Sequence, residues 1–156
     1  MRLYLIRHAI AEPRRSGQPD ATRPLTEKGR ARFARCVKGL KHLGIRLDAL
    51  WHSPLVRAVD TATLLEPVLR GERRETPLLA RSPAQPLLDL VQGEHVALVG
   101  HEPWMSELLA MLCTNEGAPP MPIPLKKGSV AILEGDPAPA RMSLHAFLPP
   151  AILRKI

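Results

Sequence analysis

Apolar positions along this chain fall into short runs that stop abruptly at polar residues, separated by stretches whose apolar residues recur at helical spacing. The first run, Leu3-Tyr4-Leu5-Ile6, reads as a short buried strand that gives way at once to Arg7 and His8. Ala9 to Pro24 is then polar and without periodicity, and a loop of that length in a compact domain is usually functional. Thr26 offers an N-cap, Phe33, Val37, Leu40 and Leu43 follow at helical spacing, and Gly44 closes the helix. A second strand is predicted near Ala49 to His52. Beyond Pro54 a second helix should carry Leu55, Val59, Ala62 and Leu65 on one face until Pro67 or Gly71 breaks it.

Pro77 to Leu79 reads as a short strand and Gln85 to Val91 as a short helix or turn. Val96 to Val99 is the clearest strand of the chain, and Pro103 stands at a first helical position ahead of Leu108, Leu109 and Leu112. Four prolines in the seven residues from Ala118 to Pro124 impose an irregular connection, expected as a loop near a pocket mouth. Ser129 to Leu133 and Ser143 to Leu148 then read as two strands joined through Gly135-Asp136-Pro137, a hairpin or edge pair.

Strands that alternate with helices predict an α/β fold, a mostly parallel sheet covered by helices on both faces. A chain of 156 residues is one domain by length, 45% hydrophobic content suffices for a core, and 3% aromatics leaves that core to Leu, Val, Ile and Ala. Residues 1–156 are therefore read as a single domain.

Three of the apolar runs end in chemistry. Leu5-Ile6 leads to Arg7 and His8, Leu50-Trp51 to His52, Ser53 and Pro54 with Arg57 one helical turn further, and Leu98-Val99 to Gly100, His101 and Glu102. Ligands of open α/β sheets collect beyond the carboxyl ends of strands, so neighbouring parallel strands would bring Arg7, His8, Arg57 and His101 to one rim. Two arginines and two histidines in one crevice describe a pocket for a dianion.

With Leu-Ile-Arg-His-Ala, Arg23-Pro24-Leu25-Thr26-Glu27-Lys28-Gly29, Ser53-Pro54-Leu55-Val56-Arg57-Ala58 followed by Thr61 and Ala62, and Val99-Gly100-His101-Glu102-Pro103, the chain resembles the histidine phosphatase superfamily. Within it the similarity is to the small phosphohistidine phosphatases of the SixA type. The segments occur in the family's order and spacing and span most of the chain. The resemblance implies a three-layer α/β/α sandwich of the phosphoglycerate mutase-like kind. It also implies His8 as nucleophile, with Arg7, Arg57 and His101 around the phosphate.

The residue types fit that role. A neutral imidazole can accept a phosphoryl group when its other nitrogen is fixed by a hydrogen bond, which the loop after His8 could supply. Arginine stays charged and matches phosphate oxygens with a planar fork. Arg23 is a further candidate for the pocket, or a residue of the helix entry, and Ser53 either donates to phosphate or ends its strand. A protonated His101 would add a third positive donor.

Phosphomonoesterase branches of the superfamily place a carboxylic acid after the third strand or directly after the second histidine. Leu78 to Pro83 holds no carboxylate, whereas Glu102 matches the second position, with an alternative role as a helix-entry glutamate facing the N-terminal dipole. A weak or absent acid suits a phosphoramidate, whose imidazole leaving group departs more readily than an alkoxide. Ala9 replaces the glycine of the superfamily's Arg-His-Gly triplet, a replacement seen in the phosphohistidine branch.

The expected activity is thus metal-independent and cofactor-free hydrolysis of phosphohistidine on a partner protein through a His8 phosphoenzyme. The alternatives are a small-molecule phosphomonoesterase with Glu102 as acid and a non-catalytic phosphate or phosphoprotein binding module. The net charge of +7 raises a nucleic-acid partner, but the basic residues are dispersed and no aromatics are interleaved among them, so none is expected. Cys36 and Cys113 are too few for a disulfide framework. No zincin pattern, Walker A sequence or Gly-x-Gly-x-x-Gly is present. With no signal-peptide core ahead of Arg7 and no membrane-length apolar run, a cytoplasmic monomer is expected.

Overall fold

The computed structural model describes residues 1–115 and 123–156. Six strands, β1 (Arg2–Arg7), β2 (Leu47–His52), β3 (Leu69–Glu75), β4 (His95–Gly100), β5 (Val130–Gly135) and β6 (Met142–Leu148), form one sheet in the order β3-β2-β4-β1-β5-β6. The first four run parallel, while β5 pairs antiparallel with β1 and β6 antiparallel with β5. The sheet is thus mostly parallel with an antiparallel edge, as the alternation of elements predicts.

Helices α1 (Glu27–His42), α2 (Val56–Leu64), α3 (Gln85–Leu88), α4 (Trp104–Cys113) and α5 (Pro150–Leu153) make the outer layers. Alternation along β1 sends Tyr4 and Ile6 to one face, where Phe33, Leu40 and Leu153 pack, and Leu3 and Leu5 to the other, against Leu88, Leu108 and Leu109. Both faces are covered, which is why β1 and β4 read as continuous apolar runs rather than alternating ones. Among the described residues no helix is long and apolar enough to cross a membrane.

Register places the functional strand ends level. Arg7 pairs with Gly100 and His52 with Val99, and past the ladders the His8 N–H still donates to Gly100 O at 3.0 Å and the Ser53 N–H to Val99 O at 3.1 Å. Residues 8, 53 and 101 therefore leave the sheet at one rim.

Helix α1 starts as expected, with the Thr26 hydroxyl accepting from the Gly29 N–H at 2.8 Å. A Cβ on Gly29 would stand 2.1 Å from Ile10 O, so this helix packs its first turn directly on the loop that follows His8. The expected C-terminal anchor differs: Leu43 caps the helix and is 46% exposed, leaving Leu40 as its last buried residue before Gly44 turns at φ +73.

Helix α2 is rotated from the predicted apolar face. Leu55 and Val59 are only half-buried, and Arg57, Ala58, Thr61 and Ala62 turn inward, because this helix contributes polar groups to the site as well as a core ridge. Strand β3 has no counterpart in the sequence reading. Its Arg70 to Glu75 are exposed and, apart from Gly71, charged, so an edge strand carries no apolar signal. Gly71, read as a breaker, lies inside it where a Cβ would meet Asp48 O at 1.7 Å.

Pro77 to Leu79 is not a strand but part of a 3-10 turn, Pro77–Ala80, opened by the Thr76 hydroxyl accepting from the Leu78 N–H at 3.3 Å. Proline favours that turn and has no N–H for a ladder. Pro103 stands one position before the first residue of α4. The expected loop over Ala118 to Pro124 lies outside the described residues, apart from Ile123 and Pro124.

Candidate active site

His8 follows directly on β1 and is buried, with its Nδ1 2.7 Å from Ala9 O. A carbonyl can only accept, so Nδ1 carries the proton and the lone pair stays on Nε2. Burial first, then the neighbouring His101 and the positive charges of Arg57 and Arg7, hold the His8 pKa down at about 3 despite the Ala9 carbonyl, so the ring is neutral at physiological pH.

The loop carrying this bond is fastened to α2. Ala9 N–H donates to Thr61 Oγ1 at 3.0 Å, and the Thr61 hydroxyl donates to Arg57 O at 2.6 Å. One fully buried hydroxyl thus ties the backbone beside His8 to the backbone of Arg57.

The Arg57 side chain is 7% exposed and its fork is engaged: Nη1 donates to Asp20 O and Nη2 to Asp20 Oδ2, both at 2.9 Å. Asp20 also accepts from Arg23 Nε at 2.8 Å, and Arg23 Nη1 donates to Glu12 O at 2.7 Å. Burial alone would raise the Asp20 pKa, but hydrogen bonds and charge from Arg23 and Arg57 outweigh it and hold the carboxyl below its ordinary range. The 3-10 turn Asp20–Thr22 within the long polar loop delivers this carboxylate.

His101 faces His8 with ring centroids 5.0 Å apart. Ser53 Oγ, fully buried, lies 2.8 Å from His101 Nε2 and accepts from the Leu55 N–H at 3.2 Å. With Nε2 turned to the Ser53 hydroxyl, Nδ1 is the ring nitrogen left without a partner, and it is a donor whenever the ring is protonated. Burial, then the charge of Arg57, lowers the His101 pKa to about 4, so the ring is neutral rather than a standing positive donor.

Arg7 Nη1 donates to Leu125 O at 2.7 Å. The Glu102 carboxylate is engaged by α4 and by the chain at Leu125, and among the described residues it makes no hydrogen bond to either histidine. Its Oε1 accepts from the Ser106 hydroxyl and the Leu125 N–H, each at 2.7 Å, and its Oε2 from the Ser106 N–H at 3.3 Å. Glu102 therefore braces the first turn of α4 against the segment whose carbonyl receives Arg7.

Among the described residues, Arg7 Nε, Arg57 Nε and His101 Nδ1 are buried without a hydrogen-bond partner. Three orphaned polar atoms of this kind, around an imidazole with a free Nε2, mark a site that an anion completes. Of the residues singled out in the sequence, Arg7, His8, Arg57 and His101 come together; Ser53 supports His101, Arg23 reaches the group through Asp20, and Glu102 stands behind Arg7. Asp20 and the role of Thr61 were missed. Thr61 lies one helical turn after Arg57, and Asp20 three residues before Arg23, which are the only local signals either gives.

A family model described as the histidine phosphatase superfamily (branch 1) matches residues 3–81. An uncharacterised protein of Picosynechococcus sp. is 33% identical over 115 residues, which span 69% of this chain and 70% of that protein. The solved structure of the protein histidine phosphatase SixA complexed with tungstate shares the fold with a TM-score of 0.81 at 21% identity, covering 97% of this chain and 98% of its own. A candidate phosphohistidine phosphatase SixA from Agrobacterium tumefaciens is 25% identical with a TM-score of 0.79, over 96% of this chain and 97% of its own. Sequence, sheet order and strand-end chemistry agree that this chain belongs to the histidine phosphatase superfamily and is a phosphatase of SixA-like architecture.

Proposed function

We propose that the chain dephosphorylates phosphohistidine on a partner protein through a covalent phosphoenzyme on His8, without a metal or other cofactor. The observation that carries this reading is the set of orphaned polar atoms, Arg7 Nε, Arg57 Nε and His101 Nδ1, around a neutral His8 whose Nδ1 is pinned to Ala9 O. His8 Nε2 attacks phosphorus as the bond from phosphorus to the substrate imidazole breaks. That imidazole, protonated beforehand on its other nitrogen, leaves neutral. His8 then carries Nδ1–H and Nε2–P, a cationic ring. Water adds to phosphorus, the P–N electron pair returns to Nε2, and dihydrogen phosphate departs.

Arg7 and Arg57 hold the equatorial oxygens, and the two fixed positive charges do the work that phosphoryl transfer asks of a cation. The approach of the dianion raises the proton affinity of His101, whose Nδ1–H then donates to it. Arg23 acts on the phosphate side through Asp20, and Ser53 orients His101.

The preference for a phosphoramidate follows from the carboxylates. Asp20 is held ionised by two arginines, and Glu102 collects three donors away from His8, so neither is placed to protonate an alkoxide. The two core layers share one sheet, which supports reading residues 1–156 as one catalytic unit. The test is phosphate release from a histidine-phosphorylated phosphotransfer protein and from an alkyl phosphate, each with wild type and His8→Ala. Release from the phosphoprotein alone, abolished in the variant, is expected. Release mainly from the alkyl phosphate, or retained in the variant, refutes the reading.

A further inference from the structure

A cavity of about 450 Å³ opens beside the site, bounded by α1, by the segment from Lys126 to Gly128 and by α5, and it shares Arg7 and Ala9 with the residues around His8. Its apolar lining includes Ile10, Phe33 and Pro150. Arg32, Lys126, Lys127 and Arg154 also line it, and among the described residues no acidic one does.

Among the described residues none of these four side chains forms an ion pair, so their charges gather around the cleft without a carboxylate to offset them. Lys127 links the cleft to the pocket: its pKa is lowered by burial and then by repulsion from Arg7, Arg23 and Arg57. The site is a cationic rim around an apolar floor, open towards the phosphate pocket at Arg7.

We propose that this cleft seats an acidic segment of the partner protein, with its carboxylates on Arg32, Lys126 and Arg154 and an apolar side chain over the partly exposed Ile10 and Pro150. The proposal rests on the reading of His8 as a nucleophile towards a phosphorylated protein, and it names what selects that protein. A phosphoryl group entering beside Arg7 brings the residues that flank it over the cleft. Unpaired rim charges attract acidic sequences and speed their encounter, an effect that salt weakens. A small dianion would use the cations but leave Ile10 and Pro150 uncovered, so charge and apolar lining together favour a peptide segment over a second phosphate.

The test uses the full chain and a fluorescein-labelled acidic amphipathic peptide of Glu, Leu and Ala, followed by anisotropy at low and high salt. Wild type is expected to bind it in a salt-dependent manner, and Arg32→Glu/Arg154→Glu to bind at least ten-fold more weakly. Hydrolysis of N-phosphoimidazole, which is too small to reach the cleft, should be unchanged in the same variant and reports that it is folded. The single variants Arg32→Gln and Arg154→Gln, with intermediate losses, serve if the double variant does not fold. No binding by wild type, or equal binding by the variants, overturns the proposal. So does an absence of peptide binding while pyrophosphate binds wild type and not the variant, which assigns the cleft to a small anion. Loss of N-phosphoimidazole turnover in wild type would instead defeat the reading of His8, and the peptide measurement would still decide the docking surface.

Discussion

Lowering the pH should unfold this protein through its own site. His8 and His101 are buried as neutral rings with pKa values of about 3 and about 4, against 6.5 for an ordinary histidine. The folded values are depressed, so the unfolded chain binds more protons between pH 6.5 and these values, and stability falls as pH falls through that window. At pH 5 each unfolded imidazole is almost fully protonated while its folded counterpart stays largely neutral. The linkage amounts to about 2 kcal/mol per ring and about 4 kcal/mol for the pair relative to pH 8. Against a total stability of order 5–15 kcal/mol, that is a large share. Both side chains are 5% exposed, so solvent screening does little to reduce it. Urea unfolding at pH 8, 6.5 and 5 should show the loss in wild type. His8→Asn should remove about half of it, and His8→Asn/His101→Asn nearly all, because those variants no longer carry the titrating rings. An equal loss in wild type and the double variant, or ring resonances that titrate near pH 6.5, would refute the reasoning.

Three further outcomes follow from the site's hydrogen bonds. Arg57→Lys should lower phosphoramidate turnover by about ten-fold or more, because an ammonium does not reproduce the guanidinium fork; an unchanged rate in steady-state kinetics would remove Arg57 from the phosphate pocket. Thr61→Val leaves the buried Ala9 N–H without its acceptor, so urea unfolding should show a loss of about 1–3 kcal/mol together with slower turnover. Glu102→Gln should change turnover of a phosphoramidate and of any alkyl phosphate by similar small factors, as a brace for the Leu125 segment does; a selective loss of alkyl phosphate turnover would make Glu102 a general acid.

The legible residues are those where the sequence itself changes character. Arg7, His8, Ser53 and His101 each follow an apolar run that a parallel sheet buries on both faces, so the end of the run announces both the rim and the groups on it. Strand β3 was invisible for the complementary reason: at the sheet edge, with Arg70 to Glu75 exposed, nothing in its composition distinguishes it from a charged loop. The rotation of α2 was hidden because Arg57 and Thr61 are polar, and apolar periodicity counts only the residues it can see.

Asp20 was illegible for a deeper reason, which also explains how the charges of the pocket are balanced. Its bonds to Arg57 span 37 residues, and the bond from Ala9 to Thr61 spans 52, so neither partnership leaves a local spacing to read. Packing α1 onto Ile10 and α2 against the same loop creates both. Two arginines and two histidines brought together without a counter-charge would repel one another, and burial would add the cost of desolvating each guanidinium. The fold answers in two ways: it strips the proton from both histidines, and it places one carboxylate between Arg57 and Arg23. A motif specifies the groups proposed to meet the phosphate, but the residues that hold those groups together are specified only by the tertiary structure.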